Sequence, residues 1–163
     1  GNAAKACLKR LVERSGVPVR RGHLVPPAQA VRKISLEEIR ACGFSQNKAR
    51  AIFELTEKEC RGEIPSTKKL KAMTDAEIIK TLVPLRGIGR WTVEMYLIFS
   101  LGRPDVFPVD DFGVREGYRI WKKERKQRKT AYLRKRALKW SPYGSLVARM
   151  FWQEADRHKK IKV

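Results

Sequence analysis

The stretch Leu85-Arg86-Gly87-Ile88-Gly89-Arg90-Trp91-Thr92 decides the fold. Two glycines flank one aliphatic residue, so the backbone can turn sharply and approach another surface with no side chain in the way. The stretch sits between two strongly helical segments, 75–83 and 90–101, and Ile88 is expected to plug the turn into the core. The first-turn N–H groups of the second helix then face outward, where they can bind a phosphate, and Arg86 or Arg90 can add positive charge. A plain helix–helix turn that uses glycine to end its first helix has the same pattern. Both readings stand at this point.

Outward from the turn, helix starts recur and strand signals are nearly absent. Residues 3–15 put Ala3, Ala6, Cys7 and Leu11 on one helical face, closed by Gly16. Residues 16–27 hold Gly16, Pro18, Gly22, Pro26 and Pro27 and read as loop. Ser35 with Glu38 forms a capping box that opens a short helix ending at Gly43. Ser45 caps a further helix over 46–60 with Ala49, Ile52, Phe53 and Leu55 facing inward, and Gly62 and Pro65 end it. Thr74 with Glu77 gives a second capping box, for 75–83. The segment 90–101 is almost wholly apolar and is expected to be buried. Further helices are expected near 111–121, 130–139 and 143–158. No solenoid repeat is present, and the fold class is all-α.

Charge is the loudest global signal: 37 Lys+Arg against 17 Asp+Glu, a net +20 over 163 residues. Such an excess repels itself unless an anionic partner offsets it, and nucleic acid is the usual partner. A membrane surface is the rival, but no apolar run approaches the roughly 18 residues of a spanning helix, and no signal peptide opens the chain. Residues 119–139 carry eleven basic groups and one acid, Glu124. That stretch reads either as a nucleic-acid backbone contact or as a solvated loop or import signal. Cys7, Cys42 and Cys60 are widely spaced, so zinc and iron–sulfur ligation have no support. No metal and no cofactor are expected, and a reducing intracellular compartment fits best: nucleoid or cytoplasm in a prokaryote, nucleus in a eukaryote.

The turn at 85–92 is followed by Asp105-Val106-Phe107-Pro108-Val109-Asp110-Asp111-Phe112-Gly113-Val114. Their order and spacing resemble the helix-hairpin-helix DNA glycosylases, more narrowly the alkylbase (3-methyladenine) branch of bacterial inducible and yeast type. Gly43-Phe44-Ser45-Gln46-Asn47-Lys48-Ala49 resembles that family's G-[LF]-S-x-x-K-A turn, and Trp140-Ser141-Pro142-Tyr143 resembles its W-x-P-[WY] element. The resemblance implies a helical lobe over 1–104 ending in the hairpin, then a second lobe over 105–163 carrying the catalytic acid, in one compact unit. It implies base-excision repair of double-stranded DNA by a monomer that extrudes the damaged base.

Breaking a base–sugar bond leaves positive charge on the sugar. A carboxylate nearby stabilises that charge and can position the attacking water. The family's acid sits at the start of the helix after the hairpin's second helix, which matches Asp111 rather than Asp110. From the residues alone, either aspartate is equally an N-cap, and the two roles are compatible. Bifunctional relatives carry a lysine nucleophile where this chain has Trp91, so simple hydrolysis to an abasic site is implied. Trp91 and Trp152 match pocket-wall positions, where aromatic rings stack on electron-poor bases, with Tyr96 a weaker candidate. Ordinary core packing is the competing role for each ring. Met95 stands where one relative carries a pocket tyrosine. Ser45 and Lys48 offer a phosphate contact, against the default of a solvated lysine.

Three departures are visible. Relatives carry a helix and a Gln-rich wedge loop ahead of the segment resembling Gly1-Asn2-Ala3-Ala4-Lys5. On this reading the chain lacks both, which impairs base flipping. Gly144 replaces an arginine common after the W-x-P-[WY] element, weakening a late structural contact. The basic stretch over 122–136 is longer than the family's. Two other functions are therefore kept open: a non-catalytic or truncated DNA-binding module of the same fold, and a basic helical RNA-associated protein.

Overall fold

The computed structural model describes residues 2–17 and 25–161, and every regular element among them is helical. They form α1 (Asn2–Ser15), α2 (Ala28–Val31), α3 (Leu36–Ala41), α4 (Gln46–Cys60), α5 (Thr67–Ala72), α6 (Asp75–Leu82), α7 (Arg90–Phe99), α8 (Phe112–Trp121), α9 (Thr130–Ala137) with a 3-10 turn at Leu138–Trp140, and α10 (Gly144–Ile161). The expected loop over 16–27 falls mostly outside the described residues. Two helices escaped the sequence reading, α2 and α5. Each is short, and α5 starts at Ser66, whose hydroxyl accepts from Lys69 N at 3.3 Å.

The chain divides into two compact units. One comprises Gly1–Thr74 with Leu82–Ile88; the other comprises Asp75–Thr81 with Gly89–Val163. The chain passes between them after Thr74, after Thr81 and, inside the 85–92 turn, after Ile88.

In the first unit Leu11, Val31, Ile34, Ile39, Cys42 and Ala49 make a closed core, with Leu36, Phe44, Ile52 and Phe53 packed against it. Of the expected inward face of α4, Ala49, Ile52 and Phe53 join this core, whereas Leu55 is only half-buried and Ala51 and Thr56 are buried instead. On α1 the expected stripe is only half covered: Leu11 is buried, but Ala3 and Ala6 are exposed. The Ser35–Glu38 capping box is complete, with Glu38 N donating to Ser35 Oγ and Ser35 N to Glu38 Oε2. Ser45 occupies the N-cap position of α4 without making a side-chain cap. Its N3 residue is Lys48, which cannot return a bond to the cap as Glu38 does.

In the second unit α8 and α10 form the most extensive helix pair. Val109, Val114, Tyr118, Leu133, Ala148 and Phe151 fill the core, with Phe107, Trp140, Val147 and Trp152 around it. Gly117 makes the crossing possible, because a Cβ there would collide with the backbone carbonyl of Phe151. The expectation of a wholly buried 90–101 helix is corrected. Val93, Glu94, Leu97 and Ile98 of α7 are buried, but Trp91 and Phe99 are 50% and 57% exposed. Their rings belong to the site described next.

Candidate active site

Asp111 is the N-cap of α8, with φ −69° and ψ 127°. Its Oδ1 accepts the Val114 backbone N–H at 2.8 Å and the Trp152 indole N–H at 2.7 Å. Its Oδ2 accepts the Trp91 indole N–H at 2.7 Å. The N-cap bond thus leaves the carboxylate able to hold further partners at the same time. A carboxylate offers about four acceptor sites. Two are taken on Oδ1 and one on Oδ2, so one remains on Oδ2. Asp110, next along, is exposed and has none of these bonds.

The two tryptophans reach the carboxylate from α7 and α10, which makes their N–H edges, as well as their ring faces, part of the site. Trp152 also stacks on Phe99, with centroids 5.5 Å apart and planes at 28°. Gly113 makes room for this: a Cβ there would lie 2.7 Å from Trp152 Cδ1 and 3.1 Å from Asp111 Oδ1. Phe112, directly after the acid, is 66% exposed. Tyr96 is half-buried on α7 and is not hydrogen-bonded to the carboxylate, and Met95 is half-buried beside it.

A second carboxylate went unnoticed in the sequence. Glu94 is 4% exposed, and Arg90 Nε donates to its Oε1 at 2.9 Å while Oε2 has no partner among the described residues. Burial raises its pKa, against the lowering effect of Arg90. The i,i+4 spacing of Arg90 and Glu94 was the available signal.

The hairpin residues are distributed over the two units. In the first, Gly87 adopts φ +78°, and a Cβ on it would lie 2.6 Å from the Cβ of Ala51 on α4. Only glycine serves both the turn and that close approach. Ile88 is half-buried. Arg86 pairs with Glu54 of α4 at 2.9 Å, an exposed ion pair that an incoming anion can compete for. Ser45 and Lys48 are exposed at the start of α4 in this same unit. In the second unit Gly89 is the N-cap of α7 and supplies no side-chain acceptor. The first intrahelical bond runs from Val93 N to Gly89 O at 3.2 Å, so the amides of Arg90, Trp91 and Thr92 have no intrahelical acceptor.

Gly144 is closely packed. It is buried, its N–H donates to Asp105 Oδ1 at 3.0 Å, and a Cβ would lie 2.9 Å from that oxygen. Ser141 Oγ donates to Asp105 Oδ2 at 2.5 Å, so the loop ahead of the acid is tied to the start of α10 through Asp105. Among the described residues no group of three or more His, Cys, Asp or Glu is placed to hold a metal ion. No described helix is long and apolar enough to cross a membrane.

The profile of the family described as "HhH-GPD superfamily base excision DNA repair protein" matches residues 1–142. DNA-3-methyladenine glycosylase 1 of Schizosaccharomyces pombe is 37% identical over 140 residues, which cover 84% of this chain and 61% of that protein. Among solved structures, the S. pombe 3-methyladenine DNA glycosylase in complex with abasic DNA matches with a TM-score of 0.77 at 31% identity, over 93% of this chain and 77% of that one. The DNA-3-methyladenine glycosidase of Bacillus halodurans matches with a TM-score of 0.80 at 28% identity, over 98% and 70%. The chain therefore spans 61% of the length of the curated relative it matches.

Proposed function

Because the chain belongs to the HhH-GPD superfamily of base excision DNA repair proteins, we propose that it hydrolyses the N-glycosidic bond of alkylated, 3-methyladenine-type bases in double-stranded DNA. The observation that carries this is the Asp111 carboxylate, held by two indole N–H groups and its own helix's amide with one acceptor site left over. The matching relatives' names supply the substrate class, and the abasic DNA of the S. pombe complex is the product that such hydrolysis leaves.

The reaction is read as follows. In the second unit the first-turn amides of α7 and the exposed Arg90 suit a backbone phosphate, and in the first unit the exposed Arg86 and Lys48 each suit one. The damaged base is extruded and stacks on the aromatic rings beside Asp111. An alkylated purine carries positive charge, so it leaves with the bonding electron pair as the C1′–N bond breaks, and the positive charge passes to the deoxyribose. The Asp111 carboxylate stabilises that charge, and its free acceptor site on Oδ2 orients the water that attacks C1′. The water's proton passes to the carboxylate or to solvent. Trp91 has no amine, so no Schiff base forms and the reaction ends at the abasic site.

The test is release of 3-methyladenine and 7-methylguanine from alkylated duplex DNA by the wild type and by Asp111→Asn. Release by the wild type and its loss in the variant are expected. Equal release by both removes Asp111 from the mechanism. Salt-sensitive DNA binding with no release from several lesions would make the chain a binding module instead, and borohydride trapping of an enzyme–DNA adduct would overturn the monofunctional reading.

A further inference from the structure

The 119–139 segment has no task in the reaction described above, yet it is tightly organised. Its anchor is Glu116 on α8. Arg119 donates to both Glu116 oxygens, at 2.7–3.1 Å, and Gln127 Nε2 donates to Oε2 at 2.7 Å. Arg119 Nη1 also donates to the Glu124 carbonyl at 2.9 Å, and Arg128 grips the Glu124 carboxylate with two bonds of 2.8 Å. These contacts consume the segment's only acid. Of its eleven basic residues, Arg119 and Arg128 are thereby paired, and the other nine have no ion-pair partner within 4 Å among the described residues.

The backbone shows the same bias. The end of α8 is closed by Lys123 N donating to Ile120 O and Glu124 N to Arg119 O, a closure in which the residue past the cap is left-handed. That residue is ordinarily glycine, but here it is Lys123, at φ +54°. A cation is therefore kept where the backbone prefers no side chain. Beside it Trp121 is 53% exposed with Lys122 Nζ 4.2 Å from its ring centre.

We propose that the exposed cations of residues 122–139 are a second nucleic-acid docking surface, which takes the phosphate backbone of undamaged duplex DNA. Charge density favours this partner. Duplex DNA carries one negative charge per roughly 1.7 Å of axis, whereas an extended acidic peptide offers at most one per roughly 3.3 Å. Its first cations, Lys122, Lys123, Arg125 and Lys126, are also separate from the carboxylate. They follow the C-terminal end of α8, Asp111 caps the N-terminal end, and a helix of ten residues is about 15 Å long. The inference stands whether or not Asp111 is catalytic.

The experiment compares the wild type with K122Q/K123Q/R125Q/K126Q, four exposed positions whose replacement leaves the Glu116 and Glu124 contacts in place. Thermal melting checks the fold. Binding to an undamaged duplex is measured against salt. Each phosphate contact contributes about 0.9 to the slope of log K on log salt, or about eightfold in affinity at 0.1 M. Losing at least two contacts lowers the affinity by about 60-fold or more and reduces the slope by about two to four. The rate of base release at saturating enzyme on a short lesion duplex stays at the wild-type value. A variant that binds the undamaged duplex like the wild type overturns the proposal, including when it has lost binding to poly-glutamate. A fall in the saturating release rate overturns the separation from the catalytic site. If the wild type releases no base at all, the binding comparison still decides the docking surface.

Discussion

Replacing Gly113 by alanine separates holding the carboxylate from merely having it. The added Cβ would lie 2.7 Å from Trp152 Cδ1 and 3.1 Å from Trp152 Nε1. Carbon atoms settle at about 3.5–4.0 Å, so the indole must retreat by about 1 Å. The 2.7 Å bond from Trp152 Nε1 to Asp111 Oδ1 then stretches beyond the range of a good N–H···O bond. A hydrogen bond to a charged group contributes about 1.5–3 kcal/mol, which is about 10- to 150-fold in rate if it is fully felt in the transition state. The fold is expected to lose about 0–2 kcal/mol, because a helical Gly→Ala change gains up to about 1 kcal/mol against an overpacking cost of about 1–3 kcal/mol. The assay is single-turnover release of alkylated purines at saturating enzyme, with thermal melting beside it. The expected result is a rate lowered by about 10- to 100-fold with DNA affinity unchanged and the fold retained. A wild-type rate in a folded Gly113→Ala protein would refute the reasoning, since the indole–carboxylate bond would then have no catalytic consequence.

Gly117→Ala should do the opposite, damaging the fold first. The new Cβ meets the Phe151 carbonyl, a backbone atom that cannot swing aside, so a loss of about 3 kcal/mol is expected in denaturant unfolding. An unchanged midpoint would mean that α8 and α10 do not cross there. Glu116 gives a pH signature. Its pKa is held at about 2, first by the hydrogen bonds from Arg119 and then by Gln127, below the unfolded value of about 4.3. Its contribution is therefore fully present above the unfolded pKa and is lost as pH falls through about 2. Allowing for solvent screening, Glu116→Gln should be less stable than the wild type by about 1–2 kcal/mol at neutral pH, with the difference closing in acid. A gap that is the same at both pH values would count against the ion pair. Lys123→Gly should stabilise the protein by about 1 kcal/mol by relieving the left-handed backbone, read as a higher melting temperature.

The sequence made legible what rests on local chemistry. Apolar positions recurring every three to four residues and the Ser35–Glu38 capping box predict helices where the structure has them, and the Gly87–Gly89 spacing predicts the turn. Asp111 was readable as the N-cap, because that role depends on the start of one helix. What stayed hidden depends on side chains meeting across long separations. Trp91, Asp111 and Trp152 come from three helices, and nothing in their spacing says that the indole N–H edges converge on one carboxylate. Gly113 reads as a weak helix former until Trp152 is seen to lie against it. Glu94 was lost inside an apolar run for the same reason, since burial of one face of α7 is decided by its neighbours. Arg86 and Arg90 were readable as cations but not as partners of Glu54 and Glu94.

The two ends of α8 obey one electrostatic rule with opposite signs. The helix dipole presents partial positive charge at its start, where Asp111 stands, and partial negative charge at its end, where Lys122 and Lys123 stand. Each end therefore suits the charge it carries, and the helix holds the two apart. The separation of about 15 Å exceeds the screening length of about 8 Å at physiological ionic strength. Lys122 and Lys123, just past the C-terminal end, thus lie too far from the carboxylate to be its direct counter-ions. On the proposed reading, affinity for undamaged duplex and base release are therefore adjusted independently, the first by substitutions at Lys122, Lys123, Arg125 and Lys126 and the second by substitutions around Gly113.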